Sequence, residues 1–93
     1  MAKISSFLVS YDSGADVLYI STAKEAATKG IEDNLGIVWR YGRGGKLIGA
    51  TVMDFREIWS EKSETLANEI AIHFQIPSPQ ALNVVEHALE ASQ

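Results

Sequence analysis

Hydrophobic residues follow two different spacings along the chain, and the change falls at Asp54. Before Asp54 many apolar residues alternate with polar ones, which is the spacing of a strand that is buried on one face. After Asp54 they recur three and four residues apart, which is the spacing of an amphipathic helix. The chain therefore predicts a single domain, residues 1–93, with an α+β fold: an antiparallel sheet over residues 4–54 and a helical part over residues 55–93.

Turn chemistry divides the first part into hairpins. Asp12–Ala15 offers side-chain oxygens and a glycine for a first reversal, and Gly42–Gly45 supplies the positive φ angles for a second. The glycine turn lies between runs of β-branched and aromatic residues, which suit a pleated sheet. We predict four strands, and a fifth if a short edge segment also pairs: residues 4–11, 16–21, 37–41 and 46–53, with 28–32 as the edge segment.

Two helices are predicted for the second part. Asp54, followed by an acidic residue three positions later, has the outline of an N-cap in a variant capping box. After a short turn, a helix runs over about residues 61–75, and Pro77 ends it because the residue before a proline avoids helical backbone. Ser78 then caps a last helix over about residues 79–91.

The two tryptophans are expected in the core, because large aromatic rings dominate the apolar area of a small domain. We expect Trp39 to pack against Gly49 or a neighbouring strand, since a glycine in mid-strand leaves room for a bulky neighbour. Trp59 is expected between the sheet and a helix.

Apolar residues on both faces of the sheet predict an oligomer. In the second strand Val17 and Tyr19 point one way, and Leu18 and Ile20 the other. Two helices cover one face of a small sheet, and the other face would expose more apolar surface than a soluble monomer usually does. A two-fold homodimer buries that surface. The alternative is that residues 22–35 fold back over it.

Charge is distributed unevenly between the two parts. The formal net charge is −4; residues 1–54 hold six acidic and six basic residues, and residues 55–93 hold six acidic and two basic ones. The helical part therefore fits a basic protein partner, whereas nucleic acid is disfavoured because its phosphates require an excess of lysine and arginine. With no signal-peptide pattern and no apolar run of membrane-spanning length, we expect a cytoplasmic protein with no membrane contact. The absence of cysteine excludes disulfides and thiolate metal sites and does not indicate a redox compartment.

The first hairpin and the later glycine-rich strand resemble a known family. Tyr11–Ser21 reads Y-D-S-G-A-D-V-L-Y-I-S, which is similar to the Y-D-x-x-A-D-x-L-Y-I opening of the bacterial and archaeal domain of unknown function family 2283 (DUF2283). Gly36–Val38, Gly45–Gly49 and Val52–Asp54 follow in the family's order and with compatible spacing. The resemblance implies a small antiparallel β-meander and no established activity. The occurrence of such genes beside small toxin-like genes makes an antitoxin-like role one expectation.

Two positions depart from the family's acidic pattern. Arg40 stands where an aspartate is common, and Thr51 where a glutamate is common. The turn at Gly42–Gly45 also carries an arginine where the family has an aspartate-rich turn. A metal-based or charge-based function of relatives would therefore not transfer to this chain.

Asp12, Asp16 and His73 are residue types that perform general acid–base work, so a small hydrolase-type enzyme is one alternative. Turn capping is the commoner use of Asp beside a glycine turn. Glu69 lies four residues before His73, the spacing of a boundary pair on a helix, and the sequence holds no nucleophile or metal-binding motif. We therefore expect no catalytic, cofactor or metal site.

The turn of the second hairpin carries a small basic tip formed by Arg40, Arg43 and Lys46. Cations beside Trp39 and Tyr41 make a nucleic-acid-binding protein the second alternative. The preferred interpretation is a non-enzymatic protein-interaction module that acts as a homo-oligomer, with the polar residues named above as its candidate interaction residues.

Overall fold

The computed structural model describes residues 7–22 and 26–91. Its five strands form one antiparallel sheet, and this confirms the predicted α+β fold. The predicted first strand begins at residue 4, which lies outside the described residues. The strands are β1 (Leu8–Asp12), β2 (Val17–Ser21), β3 (Lys29–Glu32), β4 (Ile37–Tyr41) and β5 (Leu47–Met53).

The order of strands across the sheet is β1-β2-β5-β4-β3, so the sheet departs from a simple meander at one connection. After the first hairpin the chain crosses to the far edge, forms β3 and β4, and returns with β5 between β4 and β2. β5 is the longest strand and is buried over most of its length.

Three helices follow the sheet: α1 (Phe55–Trp59), α2 (Ser63–Phe74) and α3 (Ser78–Ala91). The predicted break near Ser60 separates the single turn of α1 from α2. Gln75 ends α2 in a left-handed conformation with φ 59°, and the N–H of Ile76 bonds to the carbonyl of Ala71 at 3.1 Å. Among the described residues, no helix has the length and apolar character to cross a membrane.

The core lies between one face of the sheet and the helices. Trp39 and Trp59 retain only 2% and 3% of their exposure, as predicted. Phe74 contacts two rings from the sheet side, those of Phe7 and Trp39, in edge-to-face geometry at 5.2 and 6.1 Å. Strand residues of the core are Leu18, Ile20, Ile37, Trp39, Ala50 and Val52, and helix residues include Phe55, Trp59, Leu66, Ile70 and Val85.

Trp39 packs beside the neighbouring strand β5, the second of its two predicted placements, and the first placement, against Gly49, is wrong. Trp39 pairs with Ala50, and Gly49 pairs with Arg40. Adjacent residues of a strand point to opposite faces, so Trp39 faces the helices while Gly49 lies on the other side of the sheet. A Cβ at Gly49 would lie 2.8 Å from the carbonyl oxygen of Ile20, so glycine here permits the close approach of β2.

Candidate functional site

The resembling motif in the first hairpin builds a turn. Asp12 Oδ1 accepts hydrogen bonds from the N–H groups of Gly14 at 3.0 Å and Ala15 at 3.3 Å. Asp16 then adopts the left-handed conformation with φ 57°, which aspartate tolerates better than most residues. The turn places the Asp16 carboxylate beside the first turn of α1.

Asp16 caps α1, although it lies 40 residues before Arg56 in the sequence. Its Oδ1 accepts a 2.8 Å bond from the Arg56 N–H, and its Oδ2 a 3.2 Å bond from the Glu57 N–H. The Tyr11 hydroxyl donates to the same Oδ1 at 2.7 Å, and the Phe55 N–H donates to the Asp16 carbonyl at 3.0 Å. These bonds satisfy amide groups that the first turn of a helix leaves unpaired.

The predicted N-cap at Asp54 is therefore wrong. Asp54 has a left-handed backbone with φ 52°, and its side chain makes no capping hydrogen bond. The chain turns sharply at Asp54 between β5 and α1, and this turn places the N-terminus of α1 beside Asp16.

The hydrogen bonds change the acidity of both side chains in this cluster. Burial tends to raise the pKa of the Asp16 carboxyl, but the bonds from Arg56, Tyr11 and Glu57 outweigh it and hold the pKa below its ordinary value. The pKa of the Tyr11 hydroxyl is raised, first because that hydroxyl donates to Asp16 and then because of burial.

His73 lies in a second cluster, between α2 and β4. Its imidazole stacks on the indole of Trp39 with the ring centroids 3.7 Å apart and the planes 6° from parallel. Its Nδ1 is 2.9 Å from the backbone carbonyl of Glu69 and 3.9 Å from that residue's carboxylate Oε1. Glu69 and His73 thus form the predicted boundary pair on one helix.

Asp33, in the turn between β3 and β4, completes the second cluster. Its Oδ2 accepts a 2.9 Å bond from the Trp39 indole N–H, and its Oδ1 accepts the N–H groups of Leu35 at 2.9 Å and Ile37 at 3.0 Å. Burial raises the pKa of the Asp33 carboxyl, but these bonds and the nearby His73 hold it below its ordinary value. Its role could have been suspected from the Asp-Asn-Leu-Gly turn sequence, since Asp readily bonds the backbone ahead of it.

In both clusters the polar side chains make hydrogen bonds or ring contacts that stabilise the fold. Asp16 directs its carboxylate to α1, whereas His73 stacks on Trp39 and bonds within α2. Within residues 7–22 and 26–91, no three His, Cys, Asp or Glu side chains come together in a group that could hold a metal ion. Asp12 and Asp16 act in turn formation and capping, and each has a defined structural partner.

The three residues of the predicted basic tip do not lie together in the structure. Arg40 lies within β4, and its Nε donates to the Thr51 hydroxyl at 2.7 Å across the neighbouring strand. Arg43 and Lys46 are exposed in the turn between β4 and β5. Gly42 and Lys46 close that turn with a 2.7 Å backbone bond.

The side of the sheet opposite the helices, here called the open face, carries exposed apolar residues. The strand register places Leu8, Tyr19 and Met53 on this face, and they keep 49%, 43% and 46% of their exposure. Three cross-strand rows make up the face: Leu8–Ser21–Gly49–Arg40–Gly30, Ser10–Tyr19–Thr51–Val38–Glu32, and Asp12–Val17–Met53.

A groove of about 520 Å³ lies between β1 and α3, here called the edge groove. Phe7 and Val9 from the β1 side and Val84 from α3 provide its apolar lining. Glu86 and Glu90 lie along its rim on α3. No pattern in the sequence predicts this groove, since it forms only where an edge strand meets the last helix.

These features define a small α+β domain whose motif residues hold a turn and a helix terminus in place. The model of the family described as "Protein of unknown function (DUF2283)" matches residues 8–56, which is 49 of the 93 residues, so the chain belongs to this family. The matched segment spans all five strands and reaches Arg56, so it contains both Asp16 and the first amide that its carboxylate caps. No curated protein and no solved structure shows significant similarity to the chain.

Proposed function

We propose that this protein acts by binding protein, without catalysis, and that it does so as a two-fold homodimer joined through the open face. The observation that carries the proposal is the exposure of Leu8, Tyr19 and Met53 on a sheet whose other face is packed by helices. A sheet face with several exposed large apolar side chains is typical of an interaction site. Two such faces pack against each other about 10 Å apart in many proteins.

The open face could be covered by a second copy of the chain or by the connection between β2 and β3. The described part of that connection favours the second copy. Of its described residues, Ala27 approaches one corner of the open face, where it lines a cavity of about 140 Å³ with Arg40 and Gly49. Leu8, Tyr19 and Met53 stay exposed with the described connection in place. A second copy supplies an apolar surface of the same size and shape.

Charge on the open face favours a second copy of this chain. Arg40 lies toward one corner, in the row with Gly49, and Asp12 lies in the row at the other end, on the opposite edge strand. Arg40 and Asp12 thus mark the two ends of one diagonal of the open face. If the two-fold axis of the dimer runs along the other diagonal, the Arg40 guanidinium of each copy lies opposite Asp12 of the second copy. Opposite charges placed in this way fix the orientation of an interface.

The contacts of the candidate catalytic residues support a binding role over the hydrolase alternative. Asp12 and Asp16 cap a turn and a helix, and His73 belongs to a different cluster. The net charge of −4 and the position of Arg40 within the sheet disfavour the nucleic-acid alternative. An antitoxin that neutralises a partner protein by binding it is one specific role of this class.

Light scattering on a size-exclusion column tests the interface. Met53→Glu places a charge on the open face, and we expect it to give a folded monomer. Ile72→Glu is the matched control, because Ile72 is 61% exposed on α2, away from the open face. The control should remain dimeric. A Met53→Glu variant that stays dimeric, with circular dichroism like that of the unmodified protein, would overturn the proposed interface.

A further inference from the structure

We propose that the small cavity at the Arg40 corner of the open face, here called the corner cavity, binds a phosphate group. The corner cavity has a volume of about 140 Å³, and Arg40, Gly49 and Ala27 are among the residues that line it. Phosphate held there would occupy the guanidinium that the proposed dimer places opposite Asp12 of the second copy. Phosphate would therefore oppose dimer formation, and this second step alone rests on the proposed function.

The Arg40 guanidinium is accessible because both neighbours of Arg40 in its cross-strand row are glycines. The row runs Gly49–Arg40–Gly30 across β5, β4 and β3. A glycine has no side chain, so neither neighbour covers the guanidinium from the side. The Nη1 atom of Arg40 lies 3.8 Å from the position that a Cβ at Gly30 would occupy. On the other side, Gly49 leaves a gap between Arg40 and Ser21 of β2, and all three residues line the corner cavity.

Hydroxyl groups accompany the guanidinium in the corner cavity. Arg40 Nε donates to the Thr51 hydroxyl at 2.7 Å, and a hydroxyl that accepts one bond can still donate its own hydrogen. Tyr19 and Ser21 add two more hydroxyl groups to the lining. Of the described residues that line the cavity, none is acidic, and no described carboxylate forms an ion pair with Arg40. A cavity with one cation, several hydroxyl donors and no acid is complementary to an anion.

The donors and the volume favour a phosphate group over other anions. The two Nη atoms of the Arg40 guanidinium can bond two oxygens of an oxyanion at once. A carboxylate has only these two oxygens, whereas a phosphate group has further oxygens for the hydroxyls of Thr51 and Ser21. The cavity is smaller than the range of roughly 300–1,000 Å³ that is usual for larger ligands, so it fits the phosphate group and not a whole nucleotide.

Titration with inorganic phosphate, followed by amide chemical shifts in NMR spectra, tests the site. The protein is the Met53→Glu variant, in which the open face is accessible whether or not the unmodified protein dimerises through it. Position 53 lies about 13 Å from Gly49 along β5, so the added charge is distant from the cavity. We expect saturable shifts at Arg40, Gly49 and Thr51, and none with sodium chloride at the same ionic strength. Equal shifts with both salts would overturn the site.

Variants made in the Met53→Glu protein locate the site. Arg40→Gln should weaken phosphate binding about tenfold or more, because hydrogen bonds between charged groups are the strongest contacts proposed. Thr51→Val keeps the shape of the side chain and should weaken binding about threefold, the effect of one neutral donor. Arg43→Gln is the matched control, since it removes the same charge from an exposed residue that does not line the cavity. Equal losses for Arg40→Gln and Arg43→Gln would overturn the site.

Phosphoserine, titrated in the same way, distinguishes two sources of the phosphate group. Tighter binding of phosphoserine than of inorganic phosphate would support the site and assign the group to a phosphorylated protein. Tighter binding of inorganic phosphate would support the site and assign it to the free ion.

Sedimentation equilibrium of the unmodified protein, in phosphate and in chloride of the same ionic strength, tests the effect on the dimer. At phosphate concentrations about ten times its dissociation constant, we expect the dissociation constant of the dimer to rise about tenfold or more. If Met53→Glu binds phosphate and the dimer is unaffected, the competition is overturned. If Met53→Glu binds phosphate and the unmodified protein is a monomer in both salts, the open-face dimer alone is overturned. If Met53→Glu does not bind phosphate, the site itself is overturned.

Discussion

The carboxylate of Asp16 accepts a 2.8 Å hydrogen bond from the backbone N–H of Arg56, a residue 40 positions later in the chain. This bond joins the first hairpin to the first helix. Together with the Glu57 N–H and the Tyr11 hydroxyl, it makes Asp16 the point at which β1, β2 and α1 meet.

Replacing Asp16 with asparagine should lower the free energy of unfolding by about 1 kcal/mol or more, because hydrogen bonds to a charged acceptor are stronger than those to a neutral one. Asparagine tolerates the same left-handed backbone but removes the charge and one of the two acceptor oxygens. Urea denaturation followed by tryptophan fluorescence measures the change. Asp54→Asn is the control, since Asp54 has the same backbone conformation and no capping bond; it should cost no more than about 0.5 kcal/mol. Equal losses in the two variants would refute the capping role of Asp16.

The Asp16 cap shows why part of this structure could not be predicted from the sequence. Hairpins depend on turn residues next to the strands, and Asp12–Ala15 and Gly42–Gly45 indicate two of the three hairpins in the described sheet. The local pattern predicts a helix cap at Asp54, but the true cap comes from a turn distant in sequence. Local patterns carry no information on which distant turn faces a helix terminus.

The same limit applies to the candidate sites. The apolar character of both sheet faces was visible in the sequence of β2, so the open face was predicted. The position of Gly49 relative to Trp39 depends on the pairing of β4 with β5, which shifts register between Arg40 and Tyr41. The edge groove depends on where α3 settles beside β1, which no single segment determines.

Trp39→Phe should destabilise the protein by about 1.5–3 kcal/mol, the range for a hydrogen bond to a charged group. Phenylalanine keeps an aromatic ring against His73 but removes the indole N–H that Asp33 accepts at 2.9 Å. Trp59→Phe loses the same indole volume and serves as the control for packing. Thermal unfolding of both variants gives the comparison, and a smaller loss for Trp39→Phe than for Trp59→Phe would contradict the role of that bond.

Gly49→Ala should cost about 1–3 kcal/mol, because its methyl group would lie 2.8 Å from a backbone carbonyl that cannot move without shifting β2. Gly30→Ala is the control, since its methyl group would meet a side-chain atom of Val38 at 3.3 Å, and β3 is an edge strand. Urea denaturation of both variants should give a clearly smaller loss for Gly30→Ala. The opposite order would show that β2 and β5 are not held as described.

Stability should fall in acid because of Asp16 and Asp33. Both carboxyls have a pKa in the folded protein below their ordinary value, which in an unfolded chain is about 3.9. Their contribution is therefore fully present above about pH 4–5 and is lost as the pH falls through the folded-state values. Urea midpoints measured from neutral pH downward test this, and the variant Asp16→Asn, Asp33→Asn should show a flatter decline. An unchanged slope in that variant would contradict the assignment.

Sedimentation equilibrium of the unmodified protein at micromolar concentration tests the central claim most directly. If the open face joins two copies, the protein will sediment as a species of twice the 10.2 kDa chain mass. A species of 10.2 kDa alone would contradict the account, because Leu8, Tyr19 and Met53 would then remain exposed on the surface of a stable monomer.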